Sequence, residues 1–166
     1  MLAYLFWHSP ADGADLDEYE GLLAAFHARL REVPPPGFRE SVAFALASDR
    51  YRYEDWYLVD DWNALGIMNS AAVDAARGPR HDPIARQAGK GAGGVYALRR
   101  GALAIADAGS AAWSHKPAGL PHGTFENQLA EGREPPEYAV WQRQMVLGPA
   151  PEFCVLAPGD ELRRVA

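Results

Sequence analysis

Residues 1–10 read MLAYLFWHSP and residues 110–119 read SAAWSHKPAG. His8 and His115 stand at an offset of 107 (115 − 8), and Pro10 and Pro117 share it (117 − 10). Phe6 and Trp113 fall in the same frame. An aromatic-x-His-x-Pro strand end is therefore written twice in one short chain. The repeat extends outward. Tyr19-Glu20 and Leu23-Ala24 have counterparts in Phe125-Glu126 and Leu129-Ala130 at an offset of 106 (125 − 19). ESVAFAL (40–46) resembles EYAVWQRQMVL (137–147), with Trp141 against Phe44 and Met145 beside it. EDWYLV (54–59) resembles EFCVLAP (152–158), with Glu152 against Glu54. Fixed-period self-similarity of this kind predicts an internal duplication.

Between these anchors the elements follow from pattern. The apolar stretch from Leu2 to His8 predicts a strand buried on both faces. Asp15 and Glu18 form an Asp-x-x-Glu helix start. Tyr19, Leu22, Leu23, Phe26 and Leu30 then recur at helical spacing. Pro34–Pro36 end that helix. SVAFAL and EDWYLVDD predict the second and third strands, and Asp61 caps a helix beginning at Trp62. RGPRHDP interrupts that helix, with Asp82 expected to cap its resumption. GKGAGG (89–94) predicts a glycine loop needing positive φ and close backbone approach. VYALRR predicts a fourth strand. The order is β-α-β-β-α-β over residues 1–101. After the small-residue linker GALAIADAGS, residues 110–166 give a partial β-α-β-β copy.

This order, with an aromatic first strand, is ferredoxin-like. The run YEDWYLVDDWNALG and the return GAGGVYALRRG resemble the dimeric α/β-barrel superfamily. That group includes antibiotic-biosynthesis-type monooxygenases, EthD-like proteins, muconolactone isomerases and chlorite dismutase-like heme proteins. The resemblance covers residues 1–101 well and residues 110–166 in part, and rests on element order and texture. It implies an α+β fold in which two sheets face each other with helices outside. No family catalytic motif is matched.

Composition narrows the function. Net charge is −6 over 166 residues, which argues against nucleic acid. One cysteine excludes an intramolecular disulfide and a cysteine zinc site. No apolar run reaches 18 residues, so no membrane span is expected. The N-terminus lacks a signal-peptide pattern, and a cytoplasmic location is expected. GKGAGG matches Gly-x-Gly-x-x-Gly in form, but it precedes a strand and not a helix, so dinucleotide binding is not expected. No cofactor and no metal ligand set is predicted, although the resemblance includes heme proteins.

Strand alternation is expected to place Phe6 and His8 on one face and Trp113 and His115 on the matching one. Ala43 and Ala45 are small enough for helices to lie close, so the large side chains are assigned to the barrel side. Glu54 with Trp56, and Glu152 with Cys154, are expected there, with Phe44, Trp141 and Arg143. The candidate catalytic residues are His8, His115, Glu54 and Arg143. Imidazole titrates near neutrality, and a second polar group in reach would complete acid–base work. Trp7, Trp56, Trp113 and Trp141 are candidate walls for an aromatic or lactone-like compound. The alternatives are a histidine bonded to a loop carbonyl, a strand-end salt bridge, and tryptophan core packing.

Two functions stand open. One is a small-molecule enzyme, monooxygenase- or isomerase-like. The other is a non-catalytic ligand-binding or assembly module. An enzyme needs a histidine at a cavity; a module fills that space with tryptophan. The sheet face left by a shortened second copy predicts a homodimer, with Trp56 or Trp141 near the junction.

Overall fold

The computed structural model describes residues 1–47, 51–144 and 151–166. Met145 and most of the turn GPAP lie outside the described residues. The chain is an α+β protein that divides into two compact units: Met1–Gly93 with Arg164–Ala166, and Gly94–Arg163.

The first unit contains β1 (Leu2–Pro10), α1 (Leu16–Glu32), β2 (Phe38–Ala45), β3 (Tyr53–Val59), α2 (Trp62–Ala71) and α3 (Gly78–Gln87). Strand β4 (Ala88–Gly101) begins here and runs into the second unit. The strand order is β4-β1-β3-β2, and β1 and β2 both pair antiparallel with β3. Asp15 starts α1: its side chain accepts from the backbone N–H of Asp17 and Glu18. Asp61 does the same for α2, accepting from Ala64 N–H. The α1 stripe of Tyr19, Leu23, Phe26 and Leu30 is buried. The segment after α2 is fastened to the end of α1 by the buried Arg77, whose Nε and Nη2 donate to Val33 O at 2.9 and 2.7 Å.

Two local expectations are corrected. Helix α3 starts at Gly78 with proline in its first turn, so Asp82 lies inside the helix and not at its cap. Residues 89–94 are strand, and none of these glycines has positive φ. Their purpose is close approach. A Cβ on Gly91 would lie 2.7 Å from Phe6 Cζ, and one on Gly93 would lie 2.7 Å from the Tyr4 hydroxyl. The bare backbone gives both rings room to lie flat.

The second unit holds the rest of β4, a short 3-10 turn (Ile105–Asp107), β5 (Ser110–Ser114), α4 (His122–Ala130), β6 (Ala139–Arg143) and β7 (Phe153–Ala157). The strand order is β5-β7-β6-β4. Helix α4 packs Phe125, Leu129 and Ala130 on Tyr138, Val140, Phe153 and Val155.

Candidate functional site

Strand β3 is buried throughout and alternates its side chains between two environments. Glu54 and Trp56 point one way; Tyr53, Asp55 and Tyr57 point the other. The ladder sets what joins them. Trp7 is opposite Glu54, Phe6 opposite Asp55, and His8 opposite Tyr53. Phe44 is opposite Glu54 and Ala43 opposite Asp55. Cross-strand partners share a face.

On the first face, Glu54 accepts from two indoles. Trp7 Nε1–H donates to Oε2 at 2.7 Å, and Trp56 Nε1–H donates to Oε1 at 2.5 Å. Three candidate residues, Trp7, Glu54 and Trp56, are therefore brought together, with Trp7 in the place expected for Phe6. Leu5, Phe44, Glu54 and Trp56 are all 0% exposed, and Trp7 is 7% exposed.

His8 is not on that face. It belongs, with Phe6 and Ala43, to the face covered by α1. There Tyr19 Oη lies 2.7 Å from His8 Nδ1, and Asp55 Oδ1 lies 3.1 Å from His8 Nε2. The Tyr57 hydroxyl donates to Asp55 Oδ2 at 2.9 Å. His27 Nε2 lies 3.6 Å from that oxygen, and its Nδ1 is 2.9 Å from Ser41 Oγ. All six groups are buried. Burial alone would raise the Asp55 pKa, but the charges and hydrogen bonds of His8 and His27 outweigh it and hold the carboxyl well below its usual range. Burial, with the nearby Asp55 carboxylate, pushes the Tyr19 and Tyr57 phenols up.

The expected faces are thus right for Phe44, Glu54 and Trp56 and wrong for Phe6 and His8. A one-residue difference in register moves a side chain to the opposite face. The second unit repeats the lesson. Trp113 and Trp141 both pair with Cys154, on the face opposite α4. Trp113, Cys154 and Trp141 share one face of the second unit, as Trp7, Glu54 and Phe44 share one face of the first. His115 is exposed and lies beyond the last residue of β5. Arg143 is half-buried at the end of β6, opposite Tyr96. Glu152 makes the strand-start salt bridge: His122 Nε2 is 2.9 Å from Oε1, and Lys116 N–H donates to Oε2 at 3.2 Å. These bonds lower its pKa against the opposing effect of partial burial. Trp56 and Trp141 are buried within the chain, so neither is available to a junction with another chain. The exposed tryptophan is Trp62.

Asp55, His27, Ser41 and Tyr57 are absent from the candidates that the sequence suggests. The signal for His27 is its place beside Phe26 on the buried stripe of α1. The signal for Asp55 is a charge two residues from a tyrosine on each side, Tyr53 and Tyr57, on the same face of the strand.

A heme held by histidine requires a buried imidazole with a nitrogen to give to iron. Of the two buried imidazoles, His27 has Nδ1 2.9 Å from Ser41 Oγ, and His8 has Nδ1 2.7 Å from Tyr19 Oη while its Nε2 faces Asp55 Oδ1 at 3.1 Å without a hydrogen bond. His115 and His122 are exposed, and His81 is half-buried on α3 beside Phe26. Among the described residues no group of three or more His, Cys, Asp or Glu side chains is placed to hold a metal ion, and no helix is long and apolar enough to cross a membrane.

No family model and no curated protein matches the sequence. Solved structures do. A dimeric protein of unknown function with a ferredoxin-like fold, from Bacteroides fragilis NCTC 9343, aligns with 9% identity and a TM-score of 0.45 over 57% of this chain and 92% of its own. A candidate chlorite dismutase aligns with 13% identity and a TM-score of 0.53 over 96% of this chain and 79% of its own. The second likeness spans nearly all of the chain and carries the conclusion that its fold is a ferredoxin-like α+β fold.

Proposed function

We propose that this chain is a non-catalytic module that works by binding and assembly on a ferredoxin-like scaffold. The observation that supports this reading is the burial of the Trp7–Glu54–Trp56 cluster, in which Glu54 and Trp56 are 0% exposed and the Glu54 carboxylate is taken up by the two indoles. The buried histidines support it, since His8 and His27 are held by Tyr19, Asp55 and Ser41. An acid–base residue must reach the proton it moves. A cytoplasmic location belongs to the same proposal, because a chain with one cysteine gains no disulfide from an oxidising compartment.

The test is turnover. The purified chain is incubated with aromatic and lactone-like compounds, with and without oxygen, and products are followed by mass spectrometry. No conversion above the buffer blank is expected. Conversion that disappears in Glu54→Gln or His8→Gln, with the circular dichroism spectrum retained, overturns the proposal. One observation favours a catalytic alternative: His122 is exposed and oriented by Glu152. A carboxylate-oriented imidazole open to solvent has the arrangement of a general base. Conversion lost in His122→Gln but kept in Glu54→Gln assigns it there.

A further inference from the structure

Tyr4, Tyr53 and Tyr57 share the face of Asp55 beneath α1, and Tyr19 comes down on it from the helix. Their hydroxyls face different partners. The Tyr57 hydroxyl donates to Asp55 Oδ2 at 2.9 Å, and the Tyr53 hydroxyl donates to Glu20 Oε1 at 2.9 Å. Tyr57 also lies 3.4 Å from His27 Nε2. Among the described residues, the shortest approach of a phenol to an imidazole is that of Tyr19 Oη to His8 Nδ1, at 2.7 Å. Behind that pair, His8 Nε2 faces Asp55 Oδ1 at 3.1 Å, and neither of these two atoms has a hydrogen bond. Tyr19 is 0% exposed, and His8 and Asp55 are 2% exposed.

A phenol gives up an electron readily only when its proton leaves as well, because the phenol radical cation is a very strong acid. In water the solvent takes that proton. In a buried site an acceptor must stand within hydrogen-bond reach. Imidazole is a stronger base than carboxylate, with an ordinary pKa of about 6.5 against about 4. Asp55 is held lower still. Burial pushes the Tyr19 phenol up, so near neutral pH it keeps its proton until an electron leaves. A cation left on a buried histidine is costly unless it is paired. Asp55 supplies the pair.

We propose that Tyr19 and His8 form a one-electron redox site: a strong outer-sphere oxidant takes an electron from the Tyr19 ring, and the hydroxyl proton passes to His8 Nδ1. The O–H bond of Tyr19 breaks and an N–H bond forms on His8. The oxidant is reduced by the one electron. The products are a neutral tyrosyl radical and an imidazolium that faces the Asp55 carboxylate. The step uses the imidazole with its lone pair on Nδ1, which puts the resting hydrogen on Nε2, toward Asp55. Because the proton stays and only the electron leaves, the cluster gains a positive charge beside a buried carboxylate, which favours the step. Return of an electron reverses it. The oxidant needs no entry to the core. The Tyr53 ring stacks on Tyr19 at 5.4 Å and on His8 at 5.5 Å, and its hydroxyl reaches the half-buried Glu20. Burial also keeps the radical from coupling with a second one. This site goes beyond the binding-module reading and does not depend on it, since a side chain oxidised and reduced in place converts no substrate.

The experiment is flash photolysis of the full chain at about pH 8.5, above the ordinary imidazole range. A ruthenium polypyridyl complex is the photo-oxidant and a cobalt(III) complex the terminal electron acceptor. Transient absorbance and electron paramagnetic resonance of frozen samples read the result. The wild-type chain is expected to give a tyrosyl radical that lives at least about tenfold longer than any radical left in Tyr19→Phe, which loses the hydroxyl and the proton transfer with it. His8→Gln, with the circular dichroism spectrum retained, should shorten the lifetime to the same extent. In the wild-type chain, isotope-labelled histidine should alter a nitrogen hyperfine coupling of the radical, because the transferred proton joins Nδ1 to the phenoxyl oxygen. Equal lifetimes in the wild-type chain and Tyr19→Phe overturn the proposal. A long-lived radical with no histidine nitrogen coupling overturns it also, by placing the radical on a tyrosine that faces a carboxylate. That spectrum is taken on the wild-type chain, so it decides the matter even where a variant fails to fold. Product formation from aromatic or lactone-like compounds is read separately and leaves this outcome unchanged.

Discussion

Asp55 Oδ1 and His8 Nε2 lie 3.1 Å apart, both buried, on neighbouring strands beneath helix α1. The helix contributes Tyr19 and His27 to the same cluster, so its contact with the sheet is partly a hydrogen-bonded one. A buried carboxylate is costly unless compensated. Here two imidazoles and a phenol compensate it.

Asp55→Asn should therefore destabilise the chain by about 3–5 kcal/mol, the usual cost of breaking a buried charged network from one side. Urea denaturation followed by circular dichroism measures it. A loss below about 1 kcal/mol would show that the network adds little.

The same carboxyl sets the acid limb. Its folded pKa is lowered, so its contribution is complete above the unfolded value of about 4 and is lost as pH falls toward the folded value. Stability should fall below about pH 4, and Asp55→Asn should flatten that limb. On the alkaline side the phenols act in the opposite sense. Tyr19 and Tyr57 are raised, so stability falls as pH rises above about 10, where the unfolded phenols ionise. Absorbance near 295 nm should show these two tyrosines titrating only as the chain unfolds.

Alanine at two glycines should have opposite signs. Gly91→Ala places a methyl group against the Phe6 ring and should cost about 1–3 kcal/mol, as overpacking does. Gly21 is in α1, and a methyl group added there would meet nothing within 4 Å, so Gly21→Ala should stabilise by about 0.5–1 kcal/mol. Thermal melts of the two variants decide it. A stabilising Gly91→Ala would mean that Phe6 does not lie on the strand.

The internal repeat is a proposal with a sharp geometric form. An experimental structure should superpose β1-β3-β2 on β5-β7-β6 with Trp7 on Trp113, Glu54 on Cys154 and Phe44 on Trp141. Failure of these three pairs to coincide in one superposition removes the duplication.

What the sequence determined by itself was local. Asp15 and Asp61 mark helix starts, Pro34–Pro36 end a helix, and the stripe from Tyr19 to Leu30 marks its buried side. Each signal depends on neighbours within a turn or two, so it is legible without the fold, and the element order that names the fold follows. The tertiary structure decided which side chains meet. The pairing of Trp7, and not Phe6, with Glu54 is a matter of register between strands 47 residues apart. Nothing local specifies it. Both Phe6 and Trp7 are large and apolar, so composition could not reveal which one faces α1. His8 followed Phe6 to the helix face, and its partner Asp55 became visible only when β1, β3 and α1 were packed together.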